Sequence, residues 1–330
     1  MDGRQEGIIL PIQQDAKFDL TLHEIFSQVE SIIMTLEEIS LQGRYFLCIG
    51  AQKSGTTWLH NVLRRHPNVV LPYVKELSFW KLKNDKPLFS LTLSLDKKEA
   101  AAAIRRSKKA LKEIIKCNRP LWHIKYLFGR RTYAWYQDLL INRLLEKNTI
   151  VGEVCPQYAL LNTETLNHIF SKLPNIKVIY IIRDPIERAW STAAMQLYDS
   201  KLVDGEPTVG QLAEIVKNED ILSHSRYERV LMNWLSRLSI ENLLILQYED
   251  IFRCPQETIS KVCNFLKILD EKLKKEVLIS RWNHHKYPPI NQSMRHDLEQ
   301  ALWETYDFLD NLRKDEEGTL INLSNSTKKG

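Results

Sequence analysis

Hydrophobic residues along this chain follow two rhythms. Between residues 18 and 40, Leu20, Ile25, Val29, Ile32, Ile33 and Leu36 recur at roughly helical spacing, which predicts an amphipathic helix ended by Gly43. Beyond it the apolar positions gather into short unbroken runs: YFLCIG at 45–50, NTIVGEV at 148–154, KVIYIIR at 177–183 and NLLILQYED at 242–250. Such runs lack the alternation of a half-wetted sheet and read as strands buried on both faces. A further short apolar stretch occupies 68–74. The segment TTWLHNVLRRHP predicts a helix stopped before Pro67, and helices are expected at 97–116, 133–147, 163–172, 255–267 and 294–313. Asp184-Pro185 supplies an N-cap and a proline at the first helical position, so another helix should run to about Tyr198.

Strands alternating with helices imply an α/β fold, a single domain with a central, mostly parallel sheet flanked by helices. The expected organisation is an N-terminal segment at 1–43, a domain at 44–315 with a helical, Lys- and Arg-rich insertion at 81–147, and a polar tail at 316–330. With 44% hydrophobic and 26% charged residues, the 330-residue chain has an ordinary globular composition. A formal net charge of +5 suits an anionic small ligand and is too small and dispersed to indicate nucleic acid. The five cysteines form no CxxC pair, so no metal site is expected, and their odd, scattered placement suits reduced thiols in the cytoplasm. No signal peptide is expected from the start MDGRQEG, and no run approaches the ~18 apolar residues of a membrane span.

The chemistry concentrates where buried strands give way to helices, the place where ligands bind in parallel α/β sheets. Gln52-Lys53-Ser54-Gly55-Thr56-Thr57-Trp58 joins the first strand to its helix. Backbone N–H groups at a helix N-terminus bind phosphate oxygens. Gly55 allows close backbone approach, Ser54, Thr56 and Thr57 add hydroxyls, and Lys53 adds a full charge. This P-loop-like loop departs from the NTPase pattern GxxxxGK[ST], because Gly55 follows the Lys-Ser pair instead of preceding it. A second anchor is Arg183 at the end of the strongest strand, with Ser191 eight residues later. An arginine there can grip a phosphate with two hydrogen bonds.

AQKSGTTWL paired with YIIRDPIERAWS resembles the two donor-binding signatures of the sulfotransferase family, whose donor is 3′-phosphoadenosine 5′-phosphosulfate (PAPS). The first resembles the loop for the 5′-phosphosulfate, the second the site for the 3′-phosphate. KELSFW at 75–80, GEVCPQY at 152–158 and NHHKYP at 283–288 resemble the KExxFF, GEKTPxY and KGRKYP segments of the heparan-sulfate sulfotransferase branch and its soluble bacterial relatives. The resemblance implies metal-free sulfuryl transfer, with the 3′,5′-nucleotide PAP (3′,5′-ADP) as product. It gives Lys53 the leaving phosphate, Glu76 the acceptor proton, and Lys286 and Tyr287 a place over the nucleotide.

Four positions depart from that branch: Val154 and Cys155 replace Lys and Ser or Thr, and Asn283 and His285 replace Lys and Arg. The first two point away from a glycan site; the resemblance to soluble bacterial enzymes favours a small-molecule, natural-product acceptor, with carbohydrate as the alternative. Glu153 stands as a second candidate base, an acceptor ligand, or a helper that holds the phosphate loop. His60, His66 and His123 are further candidates, His123 on the acceptor side. Trp58, Trp80, Trp122 and Trp135 suit either an acceptor pocket or the core. A P-loop kinase would need an acidic magnesium partner at a strand end, and the sequence offers no convincing one. A non-catalytic nucleotide-binding module would bind the donor without turnover.

Overall fold

The structure, a computed structural model, describes residues 44–81, 120–141, 149–200, 206–270, 275–279 and 286–312. The chain divides into two units, Met1–Leu41 and Gln42–Gly330. The helices expected at 18–40 and 97–116, the tail, and Asn283 and His285 lie outside the described residues.

Five strands build one sheet: β1 (Tyr45–Gly50), β2 (Val69–Val70), β3 (Ile150–Val154), β4 (Lys177–Ile182) and β5 (Leu243–Gln247). Their order is β2-β3-β1-β4-β5, and every neighbouring pair is parallel. The unbroken apolar runs have their cause here, since all of β1 and β3 is buried and β4 is buried after Lys177. Each fully buried Leu, Ile or Val contributes about 1.5–3 kcal/mol. Gly152 is dictated by packing: it pairs with Phe46, and a Cβ there would lie 2.1 Å from the Phe46 ring. The stretch at 68–74 yields only the two-residue β2, because Pro72 has no N–H with which to extend a ladder.

Thirteen α-helices are described. The first is α1 (Thr56–Leu63), and α2 (Pro120–Phe128) and α3 (Tyr133–Leu140) follow the basic region. α3 is shorter than the expected 133–147: it closes at Ile141, and residues 142–148 lie outside the described set. Next come α4 (Thr163–Lys172), α5 (Pro185–Ser200), α6 (Val209–Val216), α7 (Glu219–Leu222) and α8 (Tyr227–Leu235). After β5 come α9 (Asp250–Arg253), α10 (Pro255–Leu266), α11 (Lys275–Leu278), α12 (Gln292–Ala301) and α13 (Trp303–Asp310). The helix expected at 294–313 is thus two. It starts early because Asn291 caps it, accepting from the Met294 N–H at 2.8 Å, and it breaks at Leu302, whose backbone (φ −119°, ψ 19°) leaves the helical region.

One core cluster joins β1, β4 and β5 to α1 and α10 through Phe46, Leu59, Ile179, Leu244 and Ile259. A second gathers α5, α6 and α12 around Trp190, Leu212 and Leu298. The chain turns from the β3 side of β1 to the β4 side, so the carboxyl ends of β1 and β4 lie side by side at a change of strand order. That is where an open α/β sheet offers a crevice.

Candidate active site

The loop after β1 is set by its backbone. The Ala51 N–H bonds the Ile181 carbonyl at 2.8 Å, which ties the loop's start to β4. Gly55 caps α1 with a left-handed backbone (φ 87°), and a Cβ there would meet Ile251 Cδ1 at 2.6 Å. Glycine alone satisfies both conditions. Ser54 is fully buried, and its hydroxyl has no hydrogen-bond partner among the described residues. A buried polar group without a partner is costly, and this one sits at a helix N-terminus suited to an anionic oxygen. Lys53 is also left-handed (φ 66°). Burial and then the nearby Arg183 hold its ammonium below the ordinary lysine range; Lys75 adds to this and Asp199 opposes it. A positive charge held at a cost is poised to meet an anion.

Arg183 follows β4 directly. Its Nη1 donates to the Lys53 carbonyl at 3.1 Å, and its guanidinium lies 4.7 Å over the Tyr248 ring. The Tyr227 hydroxyl donates to the Arg183 carbonyl at 2.9 Å. Next, Asp184 caps α5, its Oδ1 accepting the Glu187 N–H at 2.8 Å, as the Asp-Pro signal predicts. Ser191 lies on that helix, 4% exposed. Behind it Arg188 is fully buried and donates to Ser225 Oγ at 2.6 Å, Thr192 Oγ1 at 3.1 Å and the Ile221 carbonyl. Burial lowers its pKa to about 10, so it remains a cation that fastens α5 to α7.

A third segment leaves β2 and carries Lys75 and Glu76. Lys75 Nζ pairs with Glu76 Oε1 at 2.7 Å, and its charge reaches Lys53. Glu76 (φ 67°) and Ser78 (φ 56°) are left-handed without being glycine. Each such residue costs about 1 kcal/mol or more and persists only where its surroundings dictate it.

Glu153 provides much of those surroundings. Its side chain is fully buried in β3. Oε1 accepts the Ser78 N–H at 3.1 Å, and Oε2 accepts the Tyr136 hydroxyl at 2.7 Å and the Tyr158 hydroxyl at 3.0 Å. The Leu77 N–H adds a smaller favourable contribution to its carboxylate. Burial raises its pKa, and the hydrogen bonds from Tyr136, Tyr158 and Ser78, with the Leu77 N–H, oppose the rise. Burial, and next the charge of Glu153, push Tyr45, Tyr136 and Tyr158 well above the ordinary phenol range, which keeps their hydroxyls protonated as donors.

Lys53, Arg183 and the Lys75–Glu76 pair are therefore neighbours, and Ser54 to Thr57 lie beside them. Several expectations need correcting. Trp58 is 3% exposed and its indole donates to the Leu278 carbonyl at 2.8 Å, so its side chain serves the core and not a ligand. Glu153 has no exposed surface for an acceptor to touch, and His123 is buried against Tyr73 and Trp122. His66 is structural, bonded to the Leu269 carbonyl at 2.9 Å and the Asn68 N–H at 3.2 Å. Val154 and Cys155 are buried, so their departure from the family pattern does not touch the acceptor surface. Lys286 and Tyr287 lie along α5: the Lys286 carbonyl accepts from Tyr198, and the neighbouring Pro288 carbonyl accepts from Trp190 at 2.8 Å. Sequence reasoning gave no role to Arg131 or Tyr136. No local spacing marks them, because their partners lie far away along the chain.

Residues 46–271 match the model of the sulfotransferase family, and the chain belongs to that family. It is 26% identical over 273 residues to carbohydrate sulfotransferase 15 of Mus musculus, covering 72% of this chain and 46% of the relative. It is 33% identical over 135 residues to sulfotransferase 2A1 of Mus musculus, covering 40% of this chain and 46% of that one. The chain thus spans about half the length of the curated relatives it matches. Among solved structures, a sulfotransferase from Alicyclobacillus acidocaldarius superposes with a TM-score of 0.54 at 17% identity, over 80% of this chain and 93% of that one. That is a likeness of fold.

Proposed function

We propose that this chain transfers a sulfuryl group from PAPS to a hydroxyl or amine of a small-molecule acceptor and releases PAP. The observation that carries the reading is the 3.1 Å hydrogen bond from Arg183 to the Lys53 carbonyl. It joins a 5′-phosphate loop to a second cationic anchor at the adjacent strand end, which suits a nucleotide with phosphate at both its 5′ and 3′ positions. The orphaned Ser54 hydroxyl supports the same fit.

The chemistry follows from the residues. Sulfuryl transfer, like phosphoryl transfer, asks for in-line positioning and charge stabilisation. As the acceptor oxygen or nitrogen bonds to sulfur, the bond from sulfur to the 5′-phosphate oxygen breaks and its electron pair stays on that oxygen. Lys53 stabilises the charge that develops there. Glu76 takes the acceptor proton. Arg183 and Ser191 hold the 3′-phosphate, Thr56 and Thr57 the 5′-phosphate, and Lys286 and Tyr287 lie over the nucleotide. Tyr73, three residues before Glu76, meets Trp122 edge to face at 5.2 Å and offers an aromatic wall to a ring-bearing acceptor.

A carbohydrate acceptor is the second reading. It is favoured by the relative named a carbohydrate sulfotransferase, which aligns over most of this chain. Among the described residues no helix is long and apolar enough to cross a membrane. The test is mass spectrometry of PAPS reactions over a panel of metabolites and glycans, with and without EDTA. A product heavier by one sulfate, formed equally with EDTA, is expected. PAP binding without any sulfated product would make the chain a nucleotide-binding module instead.

A further inference from the structure

Resting on that reading, we propose that Glu153 and Arg131 are positioning residues that clamp the Leu77–Ser78 backbone from two sides, so that Glu76 is presented to the acceptor. Glu153 accepts the Ser78 N–H at 3.1 Å. Arg131 Nη2 donates to two carbonyls, at 3.4 Å for Leu77 and 3.1 Å for Ser78. The Ser78 N–H and the carbonyls of Leu77 and Ser78 are thereby held by buried side chains, since Glu153 is fully buried and Arg131 is 3% exposed.

The clamp is itself braced. Tyr158 donates to Glu153 and accepts the Trp80 N–H at 3.4 Å, so one hydroxyl links the carboxyl to the end of the segment. Tyr136 donates to Glu153 and shares a hydrogen bond with Tyr45 of β1. The Arg131 guanidinium lies 4.9 Å over the Trp135 ring. Ser78 Oγ donates to the Glu76 carbonyl at 3.3 Å. The two left-handed residues, Glu76 and Ser78, flank the clamped residue Leu77, so holding Leu77 and Ser78 fixes the direction in which Glu76 leaves the backbone. A strained backbone persists where its surroundings over-determine it, and these hydrogen bonds supply that constraint.

The hydrogen-bond pattern distinguishes positioning from proton transfer. A glutamine at position 153 keeps one oxygen for the Ser78 N–H and turns its NH₂ toward Tyr136 and Tyr158, whose hydroxyls can rotate to accept. Glu153→Gln therefore preserves the clamp while removing a titrating carboxyl. Glu153→Ala opens it, and Arg131→Met removes the opposite side.

The experiment measures PAP release from PAPS with water as acceptor, a reaction that needs no identified acceptor, together with PAP binding by calorimetry and melting temperature. Glu153→Gln should stay within about tenfold of the parent rate. Glu153→Ala and Arg131→Met should each lower kcat by about 10²-fold, with the PAPS KM and PAP affinity within about threefold of the parent. Glu76→Gln should fall at least as far as Glu153→Ala. Collapse of Glu153→Gln beside near-parent turnover in Glu76→Gln would make Glu153 the base, overturning the clamp and the Glu76 assignment and leaving the sulfotransferase reading intact. Near-parent kcat in folded Glu153→Ala and Arg131→Met, with Glu76→Gln inactive, would overturn the clamp and leave the sulfotransferase reading intact. Loss of PAP binding in the clamp variants would place the clamp in the donor site and overturn the proposal in another way.

Discussion

Removing the Arg183 side chain separates two contributions that the structure combines in one residue. The guanidinium bonds the Lys53 carbonyl and stacks over Tyr248. Arg183→Ala therefore loosens the 5′-phosphate loop as well as deleting the proposed 3′-phosphate contact. A half-exposed charged hydrogen bond and a cation–π contact together are worth about 1–2 kcal/mol. Part of that loss should pass to any ligand of the loop, so 5′-AMP should weaken by about 1 kcal/mol, or roughly fivefold. PAP should lose this and in addition about 2–5 kcal/mol, because truncation leaves its 3′-phosphate without a charge partner. That is about 30- to 5,000-fold beyond the AMP effect. Titration calorimetry of both ligands, at one pH and one salt concentration, reads the difference directly. Arg183→Lys should fall between, since it keeps the charge and loses the two-bond grip. Equal losses for PAP and AMP would refute the 3′-phosphate assignment and leave Arg183 as a brace for the loop. An unchanged PAP affinity would refute both roles.

Lys53→Ala should lower kcat by about 10²–10³-fold, more than it raises the PAPS KM, because leaving-group charge develops mainly in the transition state; steady-state kinetics in which only KM moves would make Lys53 a plain anchor. Glu76→Gln should cost about 10²-fold or more in turnover with PAP affinity unchanged, and calorimetry showing lost binding would assign it to the donor site. Gly55→Ala forces a left-handed L-residue against Ile251 and should destabilise by about 1–3 kcal/mol in denaturant melts; adding Ile251→Val should recover the clash and not the backbone strain. Burial, then Arg188 and Lys81, hold His224 down at about 3 against an ordinary value of 6.5, so its stabilising effect is complete above about pH 6.5 and is lost as pH falls toward 3. The loss at pH 5 is about 2 kcal/mol, and His224→Leu should flatten the fall in unfolding free energy from pH 7 to pH 5, read from denaturant melts, by about that amount; parallel curves would refute it.

The sheet was legible because its signals are local. An unbroken apolar run means burial on both faces wherever it falls, and four of the five strands followed from that alone. α5 was legible for the same reason, since Asp184 and Pro185 state its start. Elements set by a partner were harder to read. β2 is cut short by Pro72, and α12 begins at a cap, Asn291, that stands outside the apolar pattern. α6 carried a readable signal that went unused. Thr208 and Gln211 form a capping box, with Gln211 accepting the Thr208 N–H at 2.8 Å and Thr208 accepting the Gln211 N–H at 3.3 Å.

The candidate site divides along the same line. Its donor half consists of a strand end, a glycine-capped helix and an arginine one residue past the next strand, so each part lies within a few positions of its own signal. Its base half hangs on a segment with almost no regular structure. Leu77 and Ser78 are held by residue 153, by residue 131, and through them by residues 136, 158 and 45. No window along the chain contains that set; the parallel pairing of β1 with β3 assembles it, placing Leu47 opposite Glu153. Glu153 therefore read as a free acid beside a strand, with base, acceptor ligand and helper all open. Three donors converging on one buried carboxyl favour the helper, though for the Glu76 segment and not for the phosphate loop. The same convergence explains how Glu76, partly buried and paired with Lys75, is held in place: its backbone is constrained from below, which leaves its carboxylate to meet an incoming acceptor.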